Sequence, residues 1–235
     1  MKVSIIIPCY NEEKTIQSIL KKILNQKEFN KKIIIVDDSS TDNSLKKINE
    51  IKNNFDELLV LKHDKNLGKG AAIKSSKQFI NGDIVIIQDA DLEYDPNDIK
   101  TLIQPIINKE YLVVYGSRVL NKNYFENIQN FSHWFRILGN IFLTKLSNLI
   151  NNQNLTDAHT CYKVFSAKLF NKISLEENNF NFCPEITTKI SNQKIKIKEL
   201  PINYNGRDYK DGKKIKSLDG IKAILTLIKY KFFKK

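Results

Sequence analysis

A chain of 235 residues, 41% hydrophobic and 27% charged, has the balance of a folded globular protein and the length for one sizeable α/β domain. No run reaches the roughly 20 apolar residues of a membrane-spanning helix, and three cysteines without a CxxC pair (Cys9, Cys161, Cys183) argue against a disulfide scaffold and for a reduced, cytoplasmic setting. The net charge of +12 comes almost entirely from lysine, because Arg118, Arg136 and Arg207 are the three arginines, and it favours anionic partners.

Along the first half, strands and helices alternate. Residues 3–7 are too short for a signal-peptide core and read as a strand running into Pro8. Residues 12–24 carry Ile16, Ile19, Leu20, Ile23 and Leu24 at helical spacing. A second strand over 33–36 leads to a helix from about residue 42, with Leu45, Ile48 and Ile51 on one face. A third strand over 58–61, a helix over 69–80 and a fourth strand over 84–88 continue the alternation. Strands joined by helices imply βαβ units and a mostly parallel sheet, whose ligands bind beyond the carboxyl ends of the strands. Each strand here ends in polar residues: Pro8 to Glu12, Asp37 to Ser40, His63-Asp64, and Gln88 to Asp91.

The second half is less regular. Residues 113–115 read as a strand ending at Gly116-Ser117-Arg118, and 121–130 as a polar, Asn-rich loop. A helix is expected over 133–150, a short strand over 163–165, a short helix over 185–191 and a half-buried strand over 195–204. Residues 218–235 combine Ile221, Ile224, Leu225, Ile228 and Phe232 at helical spacing with five lysines, which suits either an anionic bilayer surface or a helix packed on the domain. No internal repeat or linker divides the chain.

The Asp89-Ala90-Asp91 triplet at the end of the fourth strand is the most chemically pointed feature. Carboxylates at i and i+2 of an extended backbone share one side, and two hard oxygen donors suit Mg²⁺ or Mn²⁺ completed by substrate phosphates. The alternative is an acidic loop that caps a helix starting at Asp95-Pro96. Gly68-Lys69-Gly70 is not a P-loop, since His63 and Gly70 break the pattern, but it can present amides and a lysine to phosphate at a helix start.

Residues 6–12 (IIPCYNE), 36–42 (VDDSSTD) and 88–92 (QDADL) occur in an order that resembles family 2 glycosyltransferases with the GT-A fold. Residues 66–72 (NLGKGAA), 155–163 (LTDAHTCYK) and 206–215 (GRDYKDGKKI) extend the likeness to the dolichol-phosphate mannose or glucose synthase branch and its bacterial polyprenyl-phosphate relatives. The resemblance implies one GT-A (Rossmann-like) α/β domain over 1–217, with a mostly parallel sheet flanked by helices, followed by the basic amphipathic helix 218–235. It implies metal-dependent, inverting transfer of a sugar from a UDP- or GDP-linked donor to a polyprenyl phosphate, at the cytoplasmic face of a membrane and with or without a membrane subunit.

On that reading the donor meets Pro8, Tyr10, Glu12, Asp37, Asp38, Gly68, Lys69 and Asp89 to Asp91, while Asp89 and Asp91 hold the metal. Tyr10 can equally be a packing aromatic, Glu12 a helix start, and Asp42 a helix cap. An acceptor phosphate is already anionic near neutrality, its second pKa being about 6, so it asks for cations rather than a base. Arg118, Arg136 and Arg207, aided by Lys213 and Lys214, are the candidates, with Arg118 and Arg207 counted as catalytic; a structural ion pair is the alternative for each. Were the acceptor a hydroxyl, Asp157 or Glu185 would be the base, although Glu185 also suits a helix start after Pro184. His159 suits a phosphate contact or a structural role, and Cys161 a small buried side chain. Nucleic-acid binding is excluded as a reading, because the lysines are spread along the chain without a recognised motif.

Overall fold

The computed structural model describes residues 1–121, 124, 131–207 and 217–234. Seven strands form one sheet in the order β3-β2-β1-β4-β6-β5-β7. The parallel half contains β1 (Lys2–Cys9), β2 (Asn30–Asp37), β3 (Leu58–Lys62) and β4 (Ile84–Ile87). In the other half β6 (Lys163–Ser166) lies antiparallel between β4 and β5 (Val113–Ser117), and β7 (Lys198–Pro201) runs parallel to β5.

Central strands that read as continuous apolar runs are buried on both faces, and period-two alternation divides their side chains between two cores. Ile5, Ile7, Ile33, Ile35 and Ile86 meet the apolar stripes of α1 (Ile16–Leu24), α2 (Ser44–Lys52) and α4 (Ile99–Ile107). Ile6, Val85 and Ile87 point the other way, towards Ile73 of α3 (Lys69–Ser76), Phe170 of α6 (Ala167–Lys172) and Ile186 of α7 (Phe182–Asn192). The long α5 (Phe131–Asn151) and the last helix, α8 (Ser217–Ile228) with its π-helical turn Lys229–Phe233, pack against α7 and each other. None of the described helices is long and apolar enough to cross a membrane.

The expected α/β sheet is therefore present, and its strand order reverses between β1 and β4, where ligands bind in such folds. Some boundaries differ for physical reasons. The first helix starts at Ile16, not residue 12, because the Glu12 carbonyl first accepts the Thr15 and Ile16 amides (3.1 and 3.0 Å) in a turn. The strand expected over 195–204 is only Lys198–Pro201: the apolar positions change parity between Ile197 and Leu200, which one strand cannot accommodate, and Tyr204 instead bridges Tyr94. The helix weighed as starting at Asp95-Pro96 is present, as a 3-10 turn over Pro96–Asp98 that runs into α4 with its Pro105, whereas the short α6 was not anticipated. The loop expected over 121–130 lies almost wholly outside the described residues.

Candidate active site

A cleft of about 620 Å³ opens at the switch point. Pro8, Tyr10 and Glu12 enter it from the end of β1, Gly68 and Lys69 from the start of α3, and Asp89 to Asp91 from the end of β4. Arg118 follows β5, Arg136 projects from α5, and Arg207 closes the cleft from the C-terminal segment.

Its electrostatic centre is a set of four carboxylates around two cations. Asp89 accepts from the Lys69 ammonium, which also reaches the Cys161 Sγ at 2.9 Å. Burial, the largest single influence, would raise the Asp89 carboxyl, but the Lys69 charge, the hydrogen bonds with Cys161 and Lys69, and the Arg207 charge together outweigh it and hold the group below the ordinary carboxylate range. Asp91 goes the other way. It accepts from Arg207 Nη2 at 2.7 Å, yet burial, then the neighbouring Asp89 and Glu93, push its carboxyl up to about 8. Arg207 also forks onto Glu12 (3.0 and 3.2 Å), and its backbone amide donates to Glu93 at 2.7 Å. Glu12, Asp89, Asp91 and Glu93 thus outnumber Lys69 and Arg207, leaving a local surplus of negative charge on hard oxygen donors. That donor set fits Mg²⁺ or Mn²⁺. Among the described residues no group of three or more His, Cys, Asp or Glu side chains is placed to hold a metal, so Asp89 and Asp91 would need oxygens from a ligand to complete a shell.

The second wall is built by close backbone approach. Asp38 lines the cleft and accepts from the Leu67 and Gly68 amides (2.9 and 2.7 Å), with His63 Nδ1 at 2.7 Å, so its carboxylate braces this loop. Asp37 is fully buried; one of its oxygens accepts from the Ser40 amide at 3.3 Å, and the other meets no partner. Asp42 ties the Ser44 and Glu13 amides together (2.9 and 3.1 Å) from one residue before the N-cap of α2, which is Asn43. Gly68 has φ +97°, and a Cβ there would lie 2.5 Å from the Asn178 carbonyl oxygen. Gly68→Ala should therefore cost about 1–3 kcal/mol of stability, measured by denaturant unfolding; a midpoint equal to wild type would show that the loop yields freely.

The later acids are engaged in structure. Asp157 is fully buried and accepts from Arg118 Nε (2.6 Å), Nη2 (2.8 Å) and backbone amide (3.2 Å), and from Asn140 Nδ2 (3.1 Å). Burial opposes its charge, but Arg118 wins and holds the carboxyl below the ordinary range. Glu185, also fully buried, accepts from the Glu176 and Glu177 amides (2.7 and 3.0 Å) and from Lys189 (2.7 Å), bracing the loop that packs on Gly68. Hydrogen-bonded in this way, both carboxylates hold structure together, whereas a base has to present a lone pair to the substrate. The same fork realises the ion pair weighed for Arg118, whose guanidinium binds Asp157 and stacks over the Tyr204 ring (5.0 Å) while lining the cleft. Lys213 and Lys214 lie outside the described residues.

The family model for glycosyl transferase family 2 matches residues 4–174. The chain belongs to that family. Over 250 aligned residues the glycosyltransferase is 31% identical to a UDP-N-acetylglucosamine–dolichyl-phosphate N-acetylglucosaminyltransferase of Methanococcus voltae, covering 98% of this chain and 96% of the relative. It is 27% identical to a dolichol-phosphate mannosyltransferase of Pyrococcus furiosus, covering 88% of this chain and 57% of that one. Among solved structures, glucosyl-3-phosphoglycerate synthase of Mycobacterium tuberculosis, crystallised with Mn²⁺ and uridine diphosphate, superposes with a TM-score of 0.69 at 17% identity, over 98% of this chain and 80% of that one. At that identity the likeness establishes the fold, the GT-A arrangement expected from the motifs.

Three residues in or behind the transferase's cleft carried too little signal on their own. Glu93 continues the i, i+2 spacing of Asp89 and Asp91 by one step and joins the Arg207 cluster, a pattern visible in the sequence but unused. Tyr204 bonds Glu93 (3.0 Å) and supports Arg118, which only the fold reveals. Buried Lys163 donates to the Ala158 and Thr160 carbonyls (3.0 and 2.7 Å), shaping the turn that carries Asp157, His159 and Cys161. His159 lines the cleft, and burial, with Lys163 nearby, lowers its imidazole to about 4, so it is neutral at physiological pH.

Proposed function

We propose that the transferase moves one sugar from a nucleoside diphosphate donor, with uracil as the first choice of base, to the phosphate of a polyprenyl phosphate. The observation that carries this reading is the full engagement of Asp157 and Glu185 by amides and cations. A hydroxyl acceptor needs a base at such a position; a phosphate arrives already anionic, with a second pKa of about 6. The names of the relatives support the acceptor class, and the uridine diphosphate in the structural neighbours supports the donor.

The base and ribose belong with Tyr10, Glu12 and the unpartnered oxygen of Asp37, and the diphosphate with Gly68, Lys69 and the Asp89–Asp91 turn. Mg²⁺ or Mn²⁺ held by Asp89 and Asp91 would neutralise charge on the departing diphosphate. Arg136 on α5 is the best-placed acceptor-phosphate contact, with Arg207 at the junction of donor and acceptor. In a single displacement, an acceptor phosphate oxygen forms the new bond to the anomeric carbon. The bond to the donor diphosphate breaks on the opposite face, and the nucleoside diphosphate leaves with that electron pair, inverting the configuration. Lys69 lies against Asp89 and can follow the leaving phosphates. Use of a nucleotide-sugar and the free cysteines are consistent with work at the cytoplasmic face of a membrane.

The deciding experiment offers labelled UDP- and GDP-sugars to the full chain with undecaprenyl or dolichyl phosphate and Mg²⁺ or Mn²⁺. Label is expected in an organic-extractable, mild-acid-labile lipid. A donor that binds while label appears only on a hydroxyl-bearing glycan would overturn the phosphate acceptor.

A further inference from the structure

Helix α5 is inverted. Its inner face is largely polar and small, with Thr144 (2% exposed), Ser147 and Asn151 buried, whereas its outer face shows Trp134, Phe135, Leu138, Phe142 and Leu149 (82% exposed). Trp134, Leu138 and Phe142 succeed one another at four-residue steps, with Phe135 beside them and Leu149 two turns further on, so they form one stripe. Its neighbour α8 repeats the pattern: Ala223, Thr226 and Leu227 are buried, while Leu218, Ile221, Leu225 and Ile228 face out, continued by Phe232 and Phe233. The two helices touch where Gly220 approaches Leu143, and both border the cleft, α5 through Phe135 and Arg136 and α8 through Asp219 and Ala223. An apolar surface this continuous marks a partner.

Charge selects the partner. Helix α5 has no acidic residue, and α8 with its following turn has only Asp219, which lines the cleft. Against it stand Lys145 and Lys222, both exposed, and Lys231 towards the end, where Lys229 and Lys234 are paired with Glu177 and Glu176. A second copy of the chain would bring these cations face to face, whereas an anionic interface would welcome them. Tryptophan and phenylalanine beside lysine is the composition that suits the headgroup boundary. We propose that the outer faces of α5 and α8 together form a docking plate for an anionic lipid bilayer, seating the cleft mouth at headgroup depth. The use of that placement rests on the polyprenyl-phosphate reading: an acceptor phosphate held at the bilayer surface would meet Arg136 without leaving its membrane.

The test uses the full chain, sedimented with phosphatidylcholine vesicles with and without phosphatidylglycerol, and two exposed-face variants, Leu138→Ser/Phe142→Ser and Ile221→Ser/Leu225→Ser. None of these four side chains lines the cleft. Wild type should partition onto the anionic vesicles, and each variant should bind about tenfold more weakly or worse. Transfer to a short, water-soluble isoprenyl phosphate should be unchanged in the variants, while transfer to vesicle-embedded polyprenyl phosphate should fall with binding. Vesicle binding equal to wild type in both variants would overturn the proposal, as would a wild type that ignores vesicles and forms a dimer the variants disperse. If wild type binds vesicles through this face but transfers to neither acceptor, the acceptor assignment falls and the docking plate stands.

Discussion

Asp91→Asn should abolish sugar transfer, by about a thousandfold or more, while leaving the fold as stable as wild type or better at neutral pH. The two effects separate because of where Asp91 sits. Its carboxyl is raised from the ordinary 3.8 to about 8 by burial and by Asp89 and Glu93, so the folded protein holds a proton there that the unfolded chain releases. A raised carboxyl makes stability fall as pH climbs between those two values, because the native state then binds more protons than the unfolded state. The asparagine removes that penalty and, with it, an oxygen donor. In EDTA, wild type should lose stability from about pH 4 to pH 8, and Asp91→Asn should lose less. Asp89→Ala should match the loss of transfer but not the gain, since it strands the Lys69 ammonium, whose side chain is 13% exposed, without its carboxylate. Transfer by Asp91→Asn within tenfold of wild type, or wild-type activity undiminished in EDTA, would remove the two aspartates from the reaction.

The second large effect is on folding. Arg118→Met leaves Asp157 charged, fully buried and short of two of its four donated hydrogen bonds, keeping those from the residue 118 amide and Asn140; such a break costs about 3–5 kcal/mol. Arg118→Met/Asp157→Leu, which removes both charges, should recover most of the loss, because an apolar pair of similar size avoids the desolvation penalty. Urea unfolding of the three proteins reads this directly. A single variant within 1 kcal/mol of wild type, judged against the about 3–5 kcal/mol expected, would show that Asp157 finds another partner or takes up a proton.

How much of this was legible beforehand depended on the range of each interaction. The strands were readable because Ile5 to Ile7, Ile33 to Val36 and Ile84 to Ile87 are apolar runs buried on both faces, and burial on both faces leaves no ambiguity of period. The Asp89-Ala90-Asp91 turn was readable because its chemistry is local. The roles of Arg118 and Arg207 were not, since each is decided by carboxylates far along the chain: Asp157 for one, Glu12 and Asp91 for the other. The bracing role of Asp38 was hidden for the same reason, as its partners Leu67 and Gly68 are brought to it only by the βαβ crossover. Helix α5 was found by its period, but its inversion was invisible, because periodicity reports that a helix has two faces and not which one turns inward.

The order of strands carries a consequence for how the chain is made. The motifs by which the family is known emerge first from a ribosome, yet the all-aliphatic β4 has only one neighbour, β1, until β6 is synthesised and slides in beside it, pairing Ile84 with Ser166 and Ile87 with Lys163. During that interval β4 is an open, apolar edge of the kind that recruits other chains. The last pairing, β5 with β7, is later still. Assembly of the cleft therefore waits on contacts of long sequence separation, which close slowly, and the nascent protein is most vulnerable to aggregation when its recognisable half is already complete.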